Sequence, residues 1–554
     1  MGVPSIYTKE MIAEYTRKGY WDSVTITDTW DQTAAAFPDK EAIVDVKTRL
    51  TWAQTKQWID RFALALLELG LKKDEVMVIQ LPNWAELILT QVACEKAGVI
   101  CIAVPPALRH SEIEYIVRTV AAAGIIIPLE FHNFNYFKMV EAIRPGLPTL
   151  KHVLVAADAV PPHALSVKKM FQTPAKAEDP DAILKNTRFS AFEFARIQLT
   201  AGSTGFPKFI EAPICGRMHC ARMWSQACRL GPEDVCGVFA VGPGGPNFVG
   251  IAGTPLVGAK MVLLESFDAA KALALIEKEQ VTCVGLVPTM LAKIIEHPDF
   301  DHFDLSRLRV MMITGAPLPA PLAEAADRKK LPIVNMYGSM DFGGITMPDI
   351  TSPRHTRLFT ANKPIPSLQL KMVDETGAVI PGEDVGHILV KGPTSTSGFY
   401  KDPETSRQTW TEDGWFPTGD LGKIDENGNL VIAGRQKDVI IRGGQNIYPA
   451  EIENLLLEHP KIAAVAIVPM PDEVMGERAC AYVVLRNGQQ MDFEEMVNFL
   501  KQKHIATYKL PERIEITDAI PLVPGVGKVD KKVLARRIAD QVKGETAAFS
   551  TVNR

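Results

Sequence analysis

The chain has 554 residues, of which 47% are hydrophobic and 23% are charged, a composition typical of folded globular proteins. This length exceeds what one small core needs, so we expect about two to four domains. The net charge of −5 and the sequence pI near 6.2 provide no basic field, which argues against nucleic acid as the main partner. A folded enzyme is the expected class.

The N-terminus and the cysteines indicate a cytoplasmic protein. Residues 1–20 carry charges throughout and lack an apolar core of signal-peptide length, and no apolar run in the chain is long enough to span a membrane. The eight cysteines form no CxxC pair, which favours buried thiols over a metal site. His219 beside Cys220 does not change this interpretation, because no second ligand pair follows at zinc spacing.

Apolar runs alternate with amphipathic stretches, which predicts parallel sheets with both faces covered by helices. Residues 9–70 predict helices around a strand pair, and 161–185 predict irregular structure because they are polar and contain prolines. The other predicted strands are at 76–81, 99–104, 124–128, 235–241, 260–264, 283–287, 309–314 and 333–336. The predicted helices between them are at 84–97, 111–123 with a Ser111 cap, 217–228 and 269–279.

After about residue 360 the pattern changes to short β runs with turn signals, at 368–373, 386–390 and 428–432. Residues 435–554 then alternate again, with helices predicted at 449–457 and 493–504 and strands at 463–468 and 479–485. We therefore predict an N-terminal domain of residues 1–434, whose β-rich subdomain covers about 360–434, and a small C-terminal α+β domain of residues 435–554.

A loop suited to phosphate follows the apolar run at 192–197, in the stretch QLTAGSTGFPK of residues 198–208. Its glycines let backbone N–H groups approach an anion, and its side chains add donors and a charge. Those side chains are Thr200, Ser203, Thr204 and Lys208. Two residues separate Gly205 from Lys208, which excludes the Walker A spacing. From this loop alone, an ordinary Gly/Ser/Thr surface turn stays open.

Two more loops follow predicted strands of the parallel sheet. Gly315-Ala-Pro follows the strand at 309–314, and Tyr337-Gly-Ser-Met-Asp341 follows the strand at 333–336. Loops at the carboxyl ends of parallel strands collect ligands. Together with the phosphate loop, they indicate a nucleotide site.

Seven motifs occur in an order that resembles the adenylate-forming superfamily of acyl-CoA and aryl-CoA synthetases, aryl-AMP ligases and luciferases, and they cover nearly the whole chain. They are LTAGSTGFPK at 199–208, GAP at 315–317, YG at 337–338, WFPTGD at 415–420, GRQKD at 434–438, GG at 443–444 and GVGK at 525–528. The likeness is greatest to the 2,3-dihydroxybenzoate–AMP ligase group, in YTRKGYW at 15–21, the AGSTG loop, RGG at 442–444, and YKLPER at 508–513 with GKVDKK at 527–532.

The resemblance implies a two-step reaction that uses ATP, Mg²⁺ and CoA. A carboxylate attacks the α-phosphate of ATP to give acyl-AMP and pyrophosphate, and a thiol then forms a thioester. Catalysis of the first step needs positioned cations and donors more than a nucleophilic side chain. The positions that match the family's nucleotide site are Thr200, Ser203, Thr204, Gly315, Ala316, Pro317, Tyr337, Gly338, Asp420 and Arg435.

Individual roles are implied by the same resemblance. Lys528 matches the adenylation lysine that bridges the substrate carboxylate and the α-phosphate, a task suited to an ammonium on a long stem. Lys208 matches the cation for the β- and γ-phosphates, with a solvated surface lysine as the competing interpretation. Asp420 matches the carboxylate that accepts hydrogen bonds from both ribose hydroxyls. Arg435 matches a residue that contacts the ribose or the phosphates. Tyr337 matches the residue on which adenine stacks, with packing in the core as the alternative interpretation.

The resemblance also implies a mobile C-terminal domain. Lys437 falls at the family's hinge, and rotation there would withdraw Lys528 and bring Gly443 and Gly444 to the active site, where the absent Cβ atoms leave room for pantetheine.

Three departures from the family pattern bear on the ligands. Asp341 stands where the family has a glutamate for magnesium and is one methylene shorter, so we expect the ion to bind it through water. Met340 replaces a hydroxyl-bearing or small residue, which makes the acid pocket more apolar. Asn247 and Phe248 match the acid-binding segment but lack the histidine and tyrosyl hydroxyl of dihydroxybenzoate ligases. We therefore expect an unsubstituted aromatic or alicyclic acid, such as benzoate, cyclohexanecarboxylate or cyclohexenecarboxylate.

Three functions stay open at this stage. The stretch GQNIYPAEIE at 444–453 is more similar to acyl-CoA synthetases, which favours an acid–CoA ligase. The second interpretation is an aryl-AMP ligase of the 2,3-dihydroxybenzoate or salicylate type that loads a carrier protein. The third is a non-catalytic nucleotide-binding protein, against which the presence of both Lys208 and Lys528 argues. The oligomeric state is open, with a homodimer among the options.

Overall fold

The computed structural model describes residues 6–174, 178–200, 208–240, 249–443, 445–472, 474–523 and 528–552. One seven-stranded sheet is formed by strands between residues 41 and 335, and its strands are parallel except for the last pair. In spatial order the strands are Ile333–Asn335, Val310–Ile313, Cys283–Leu286, Val235–Val238, Lys260–Leu263, Glu41–Val44 and Arg49–Thr51. Because parallel strands are buried on both faces, each is a short apolar run.

Helices cover both faces of this sheet. Val284 and Met311 point into a core shared with the helices Ala269–Glu279, Pro288–Ile295 and Ala320–Arg328. On the opposite face, Cys236 and Met312 join a larger core that includes the helices Ile26–Ala36 and Ile214–Ala227. The π-helix Val249–Gly253 and the helix Thr254–Val257 complete this layer. The helix Arg354–Phe359 and the 3-10 helix Phe300–His302 pack on the first face, where Leu358 and Phe300 join the smaller core.

A second seven-stranded sheet lies beside the first and shares the larger core. In spatial order its strands are Lys208–Pro213, Phe194–Thr200, Ile100–Ala103, Val76–Ile79, Gly124–Pro128, His152–Ala156 and Leu165–Ser166, and only the first pair is antiparallel. Its helices are Trp52–Glu68, Ala85–Ala97, His110–Val120, Tyr136–Ile143, Val167–Gln172 and Pro180–Thr187, and the chain enters through the helix Lys9–Arg17. The loops of this part contain one small strand pair, Glu130–Phe131 with Phe134–Asn135, and the 3-10 helix Arg144–Gly146.

Two local predictions in this part of the chain are corrected. The helix predicted at 111–123 is present as His110–Val120, but the predicted Ser111 cap is wrong, because the backbone N–H of Arg109 donates to the Glu112 side chain instead. The segment 161–185 is not irregular throughout, because it contains a two-residue strand and two short helices capped by the side chains of Ser166 and Asp179. Helices of six and eight residues are too short for their periodicity to stand out in the sequence.

The predicted β-rich subdomain is a four-stranded antiparallel sheet. Its strands are Gln369–Val373, Gly386–Lys391, Phe416–Ile424 and Leu430–Arg435, with the helix Pro403–Thr409 between the second and third. The strand predicted at 428–432 is observed at Leu430–Arg435, so it begins later and ends later than predicted. The motif WFPTGD lies largely within the strand Phe416–Ile424.

The C-terminal residues form a five-stranded sheet with its own apolar core, built around Ile452, Leu456, Ile467, Val483 and Leu500. The strands are Ile440–Arg442, Gln445–Ile447, Ile462–Asp472, Gly476–Leu485 and Arg513–Ile516. The helices are Pro449–Leu457, Phe493–Gln502, Lys531–Val552 and the 3-10 helix Thr507–Lys509. The 3-10 helix Gln436–Asp438 leads into this part of the chain, and the domain boundary between residues 434 and 435 stays a prediction.

These sheets agree with the expected α/β class. Among the described helices, none has the length and apolar character needed to cross a bilayer.

Candidate active site

The predicted phosphate loop connects two antiparallel strands, Phe194–Thr200 and Lys208–Pro213, in which Thr200 lies opposite Lys208. This arrangement differs from a P-loop, which joins a strand to a helix. Ser203 and Thr204 lie outside the described residues. The Lys208 ammonium lies 4.8 Å from the ring centroid of Phe399, a cation–π contact that orients the side chain. Pairing of the strands therefore places the lysine at the base of the loop.

Asp420 is held by two partners from different parts of the chain. Asp420 and Arg435 face each other across adjacent antiparallel strands, and the Arg435 Nε lies 3.2 Å from Asp420 Oδ1. The Tyr337 hydroxyl donates to Oδ2 of the same carboxylate. Burial raises the pKa of Tyr337 well above its usual value, and the charge of Asp420 raises it further. The phenol therefore stays a neutral donor, and Asp420, at 6% exposure, is a fixed acceptor.

Met340 and Asp341 lie at the tip of a tight hairpin formed by Gly338–Ser339 and Gly343–Gly344. A Cβ atom on Gly338 would lie 2.8 Å from the Gly343 carbonyl oxygen, so this turn requires glycine there. Burial raises the pKa of the Asp341 carboxyl, while the charges of Lys208 and Arg435 lower it. The structure thus brings Asp341 together with the base of the phosphate loop.

The Asp341 carboxylate fits a magnesium ligand. It is a hard oxygen donor in a partly desolvated position, which an added cation would stabilise. Within the described part of the chain, His, Cys, Asp and Glu side chains form no group of three or more that could hold a metal. A single carboxylate is sufficient for magnesium, because that ion is commonly bound by one or two carboxylates together with phosphate oxygens and water.

Lys528 reaches this cluster from the C-terminal part of the chain. Its backbone pairs with an earlier segment, because the Val523 N–H donates to the Lys528 carbonyl oxygen over 2.7 Å and Leu522 forms an isolated antiparallel bridge with Val529. Its stem passes over Gly315, where an added Cβ atom would lie 4.0 Å from the lysine Cε. Gly315 has a φ of +88°, a conformation that favours glycine. Gly315 therefore provides the turn, and the lysine stem lies in van der Waals range of it.

The charges around Lys528 are mixed. Burial lowers its pKa and the charge of Arg435 lowers it further, whereas Asp420 and Asp341 raise it. Burial also lowers the pKa of Lys437, with Arg435 as the next cause. The site thus combines four cations, Lys208, Arg435, Lys437 and Lys528, with two carboxylates, Asp341 and Asp420. This excess of positive charge suits the phosphates of a nucleotide and the charge that develops during phosphoryl chemistry.

Other predicted residues lie apart from this cluster or outside the described chain. Ala316 and Pro317 continue the loop after the strand Val310–Ile313, and Pro317 is exposed. At Gly443, with a φ of +55°, an added Cβ atom would meet Met475 within the C-terminal part, 2.7 Å from its Cε. The predicted pantetheine and acid positions Gly444, Asn247 and Phe248 lie outside the described residues.

Sequence reasoning missed Arg217 and Thr396. The Thr396 hydroxyl donates to the Asp341 carbonyl oxygen, and the buried Arg217 contacts the same turn. Thr396 carries no signal in the sequence, because the contact spans 55 residues. An arginine within a helix rich in apolar residues and cysteines is the one signal that could have identified Arg217.

The comparisons with known proteins agree with this geometry. A model described as AMP-binding enzyme matches residues 30–400, and one described as AMP-binding enzyme C-terminal domain matches residues 451–528. A salicylyl-CoA synthase / salicylate adenylyltransferase of a Streptomyces species is 31% identical over 99% of this chain and 99% of its own. The 2,3-dihydroxybenzoate-AMP ligase of Bacillus subtilis (strain 168) is 30% identical over 96% of this chain and 97% of its own.

A solved structure shares the fold. The anthranilate CoA ligase AuaEII in complex with anthranoyl-AMP aligns with a TM-score of 0.83 at 24% identity, covering 94% of this chain and 98% of that chain. The predicted superfamily, and the likeness to the 2,3-dihydroxybenzoate–AMP ligase group, are confirmed.

Proposed function

The chain belongs to the AMP-binding enzyme family of acyl- and aryl-activating ligases, and we propose that it converts a cyclic carboxylic acid without ring hydroxyls into its CoA thioester. The observation that carries the catalytic part of this proposal is the convergence of Lys528 with Asp341, Asp420 and Arg435 beside Gly315. Residues far apart in the chain meet there and form a cationic site that retains two carboxylates.

In the first half-reaction, a carboxylate oxygen of the acid forms a bond to the α-phosphorus of ATP and the bond to pyrophosphate breaks. Lys528 neutralises charge on the attacking carboxylate and the α-phosphate. Lys208 acts on the β- and γ-phosphates, while Asp420 accepts hydrogen bonds from the ribose hydroxyls. Asp341 would hold Mg²⁺, which supplies further neutralisation of the phosphate charge when bound. In the second half-reaction, the CoA thiol displaces AMP from the acyl carbon.

The apolar surroundings support an acid without hydroxyls. Met340 lies at the tip of the hairpin that also carries Asp341. At Met340, a thioether stands where a hydroxyl could have met a catechol. A pocket that offers few polar partners has little means to select hydroxylated rings over plain ones.

The alternative function is an aryl-AMP ligase that loads a carrier protein. The similarity to the 2,3-dihydroxybenzoate-AMP ligase of Bacillus subtilis favours it, whereas the similarity to the salicylyl-CoA synthase favours CoA. The two functions share the first half-reaction and differ in the thiol that receives the acyl group.

The test is a mass-spectrometric product assay with ATP, Mg²⁺ and CoA. The acids supplied in competition are benzoate, cyclohexanecarboxylate, cyclohex-1-enecarboxylate, salicylate, 2,3-dihydroxybenzoate and octanoate. We expect a CoA thioester of a ring acid without hydroxyls, together with AMP. A dihydroxybenzoyl or salicylyl product would overturn the choice of acid, and octanoyl-CoA would overturn the cyclic class. Acyl-AMP without any thioester would support carrier-protein loading, and no adenylate from any acid would support a non-catalytic nucleotide-binding protein.

A further inference from the structure

Arg217 is a buried cation next to the site, with 8% of its surface exposed. It lies in the first turn of the helix Ile214–Ala227, and burial lowers its pKa. A buried charge is costly unless it is well hydrogen-bonded. The hydrogen bonds of this guanidinium therefore show which segments it connects.

Its guanidinium joins two parts of the site. Nη2 donates to the side-chain oxygen of Gln198 and lies 3.4 Å from the Met340 carbonyl oxygen. Gln198 lies in the strand Phe194–Thr200, which leads into the phosphate loop. Nη1 lies against the other side of the turn, 3.6 Å from where a Cβ atom on Gly343 would be. Nη2 carries two N–H groups, so this one nitrogen can serve both acceptors at once.

The turn that carries Asp341 is fixed on its other side by a neighbouring segment. The Thr396 hydroxyl donates to the Asp341 carbonyl oxygen, and the Thr394 hydroxyl donates to the Gly344 carbonyl oxygen over 3.1 Å. These contacts hold the turn against residues 394–397. Arg217 supplies the link from the same turn to the phosphate-loop strand. The charge of Asp341 also acts on Arg217, so the carboxylate and the guanidinium are electrostatic neighbours.

We propose that Arg217 is a positioning residue that holds the Met340–Asp341 turn against the phosphate-loop strand, so that Asp341 and Lys208 stand at the spacing that magnesium-bound ATP requires. This role rests on the proposed function, because it presumes that the nucleotide binds with Mg²⁺ at Asp341. Gln198 is the acceptor through which Arg217 is attached to the phosphate-loop strand. Loss of either residue should weaken the binding of the metal–nucleotide complex more than that of the free nucleotide.

The experiment compares Arg217→Met, Arg217→Lys and Gln198→Met with the wild type. The matched control is Arg222→Met, because Arg222 lies on the same helix and forms an ion pair with Asp22 at 2.8 Å. ATP binding is measured by isothermal titration calorimetry with Mg²⁺ and with EDTA. ATP–pyrophosphate exchange then gives kcat and KM, and thermal unfolding in the absence of ligand reports the integrity of the fold.

We expect Arg217→Met to weaken ATP binding about tenfold with Mg²⁺, the loss of one hydrogen bond to a charged group, and much less with EDTA. KM for ATP should rise more than kcat falls. Arg217→Lys should restore part of the Mg²⁺-dependent binding, Gln198→Met should share the defect, and Arg222→Met should behave like the wild type.

Equal weakening with and without Mg²⁺, or no weakening in a folded Arg217→Met, would overturn the proposal. If Arg217→Met does not fold, the proposal is tested with Gln198→Met and Arg217→Lys, by comparing their ATP binding with Mg²⁺ and with EDTA. A wild-type protein that binds ATP with Mg²⁺ but adenylates no acid would overturn the proposed function and leave the calorimetric test of Arg217 intact.

Discussion

Replacing Lys528 by alanine tests the catalytic proposal most directly. The substitution removes one positive charge next to Gly315, while Arg435 and Lys208 stay in place. Two unit charges about 4 Å apart interact by about 4 kcal/mol at an effective dielectric constant of about 20. In a transition state this corresponds to about a thousandfold in rate, within the range of about 10²–10³ for losing one oxyanion donor.

The assay separates the two half-reactions. ATP–pyrophosphate exchange measures adenylation, and a single-turnover reaction of chemically prepared acyl-AMP with CoA measures thioester formation. We expect Lys528→Ala to lose adenylation about a thousandfold and to retain thioester formation, because the proposed role of the lysine is confined to the adenylation step. The matched control is Lys531→Ala, since Lys531 forms an ion pair with Glu453 at 2.6 Å and should be dispensable for both reactions.

Two results would refute this reasoning. Normal acyl-AMP formation by Lys528→Ala would show that the lysine does not neutralise charge in the first step. Equal loss of both half-reactions in a folded variant would show that it supports the structure of the site in general.

Four further predictions depend on burial, hydrogen bonding and packing. Burial lowers the pKa of Lys528, so adenylation should decline on the basic side at a pH below the usual lysine value, and Lys528→Arg should move that decline upward. Because the folded-state pKa lies below the unfolded one, the buried ammonium costs stability in full below the folded pKa. This cost falls as the pH rises from the folded to the unfolded pKa and is gone above the latter. Lys528→Met should therefore raise the thermal unfolding temperature at neutral pH. Tyr337→Phe removes the donor to Asp420 and should raise KM for ATP about three- to tenfold, measured by pyrophosphate exchange. Gly344→Ala places a Cβ atom 2.4 Å from the Trp224 ring and should destabilise the fold by about 1–3 kcal/mol, measured by chemical denaturation.

Each of these predictions has an outcome that contradicts it. If the decline of adenylation at basic pH is unchanged in Lys528→Arg, a group other than Lys528 causes that decline. A lower unfolding temperature for Lys528→Met would mean that the Lys528 ammonium stabilises the fold. An unchanged KM in Tyr337→Phe would show that the ribose acceptor does not depend on the phenol. Full stability of Gly344→Ala would show that Trp224 moves without cost. Gly231→Ala serves as the control, because an added Cβ atom there meets nothing within 4 Å.

The sequence by itself determined the layered α/β architecture and the loops that carry the chemistry. Parallel strands are buried on both faces and must therefore be apolar along their length. Such apolar runs, separated by amphipathic helices, are local patterns that the sequence shows directly. For the same reason, the loops that begin at Gly315 and Tyr337 could be placed at the carboxyl ends of strands before the sheet was seen. The long C-terminal helix Lys531–Val552 was not predicted, although it is the longest helix described.

Only the tertiary structure decided how the site is assembled. No sequence pattern places Asp420 opposite Arg435 or directs the Tyr337 hydroxyl to that carboxylate, because strand register depends on the whole sheet. The link from Arg217 to the Asp341 turn spans 123 residues, and Lys528 meets Gly315 across more than two hundred positions. Motifs identify which residues can handle charged phosphates, but long-range packing and burial set the distances between those residues and their electrostatic environment.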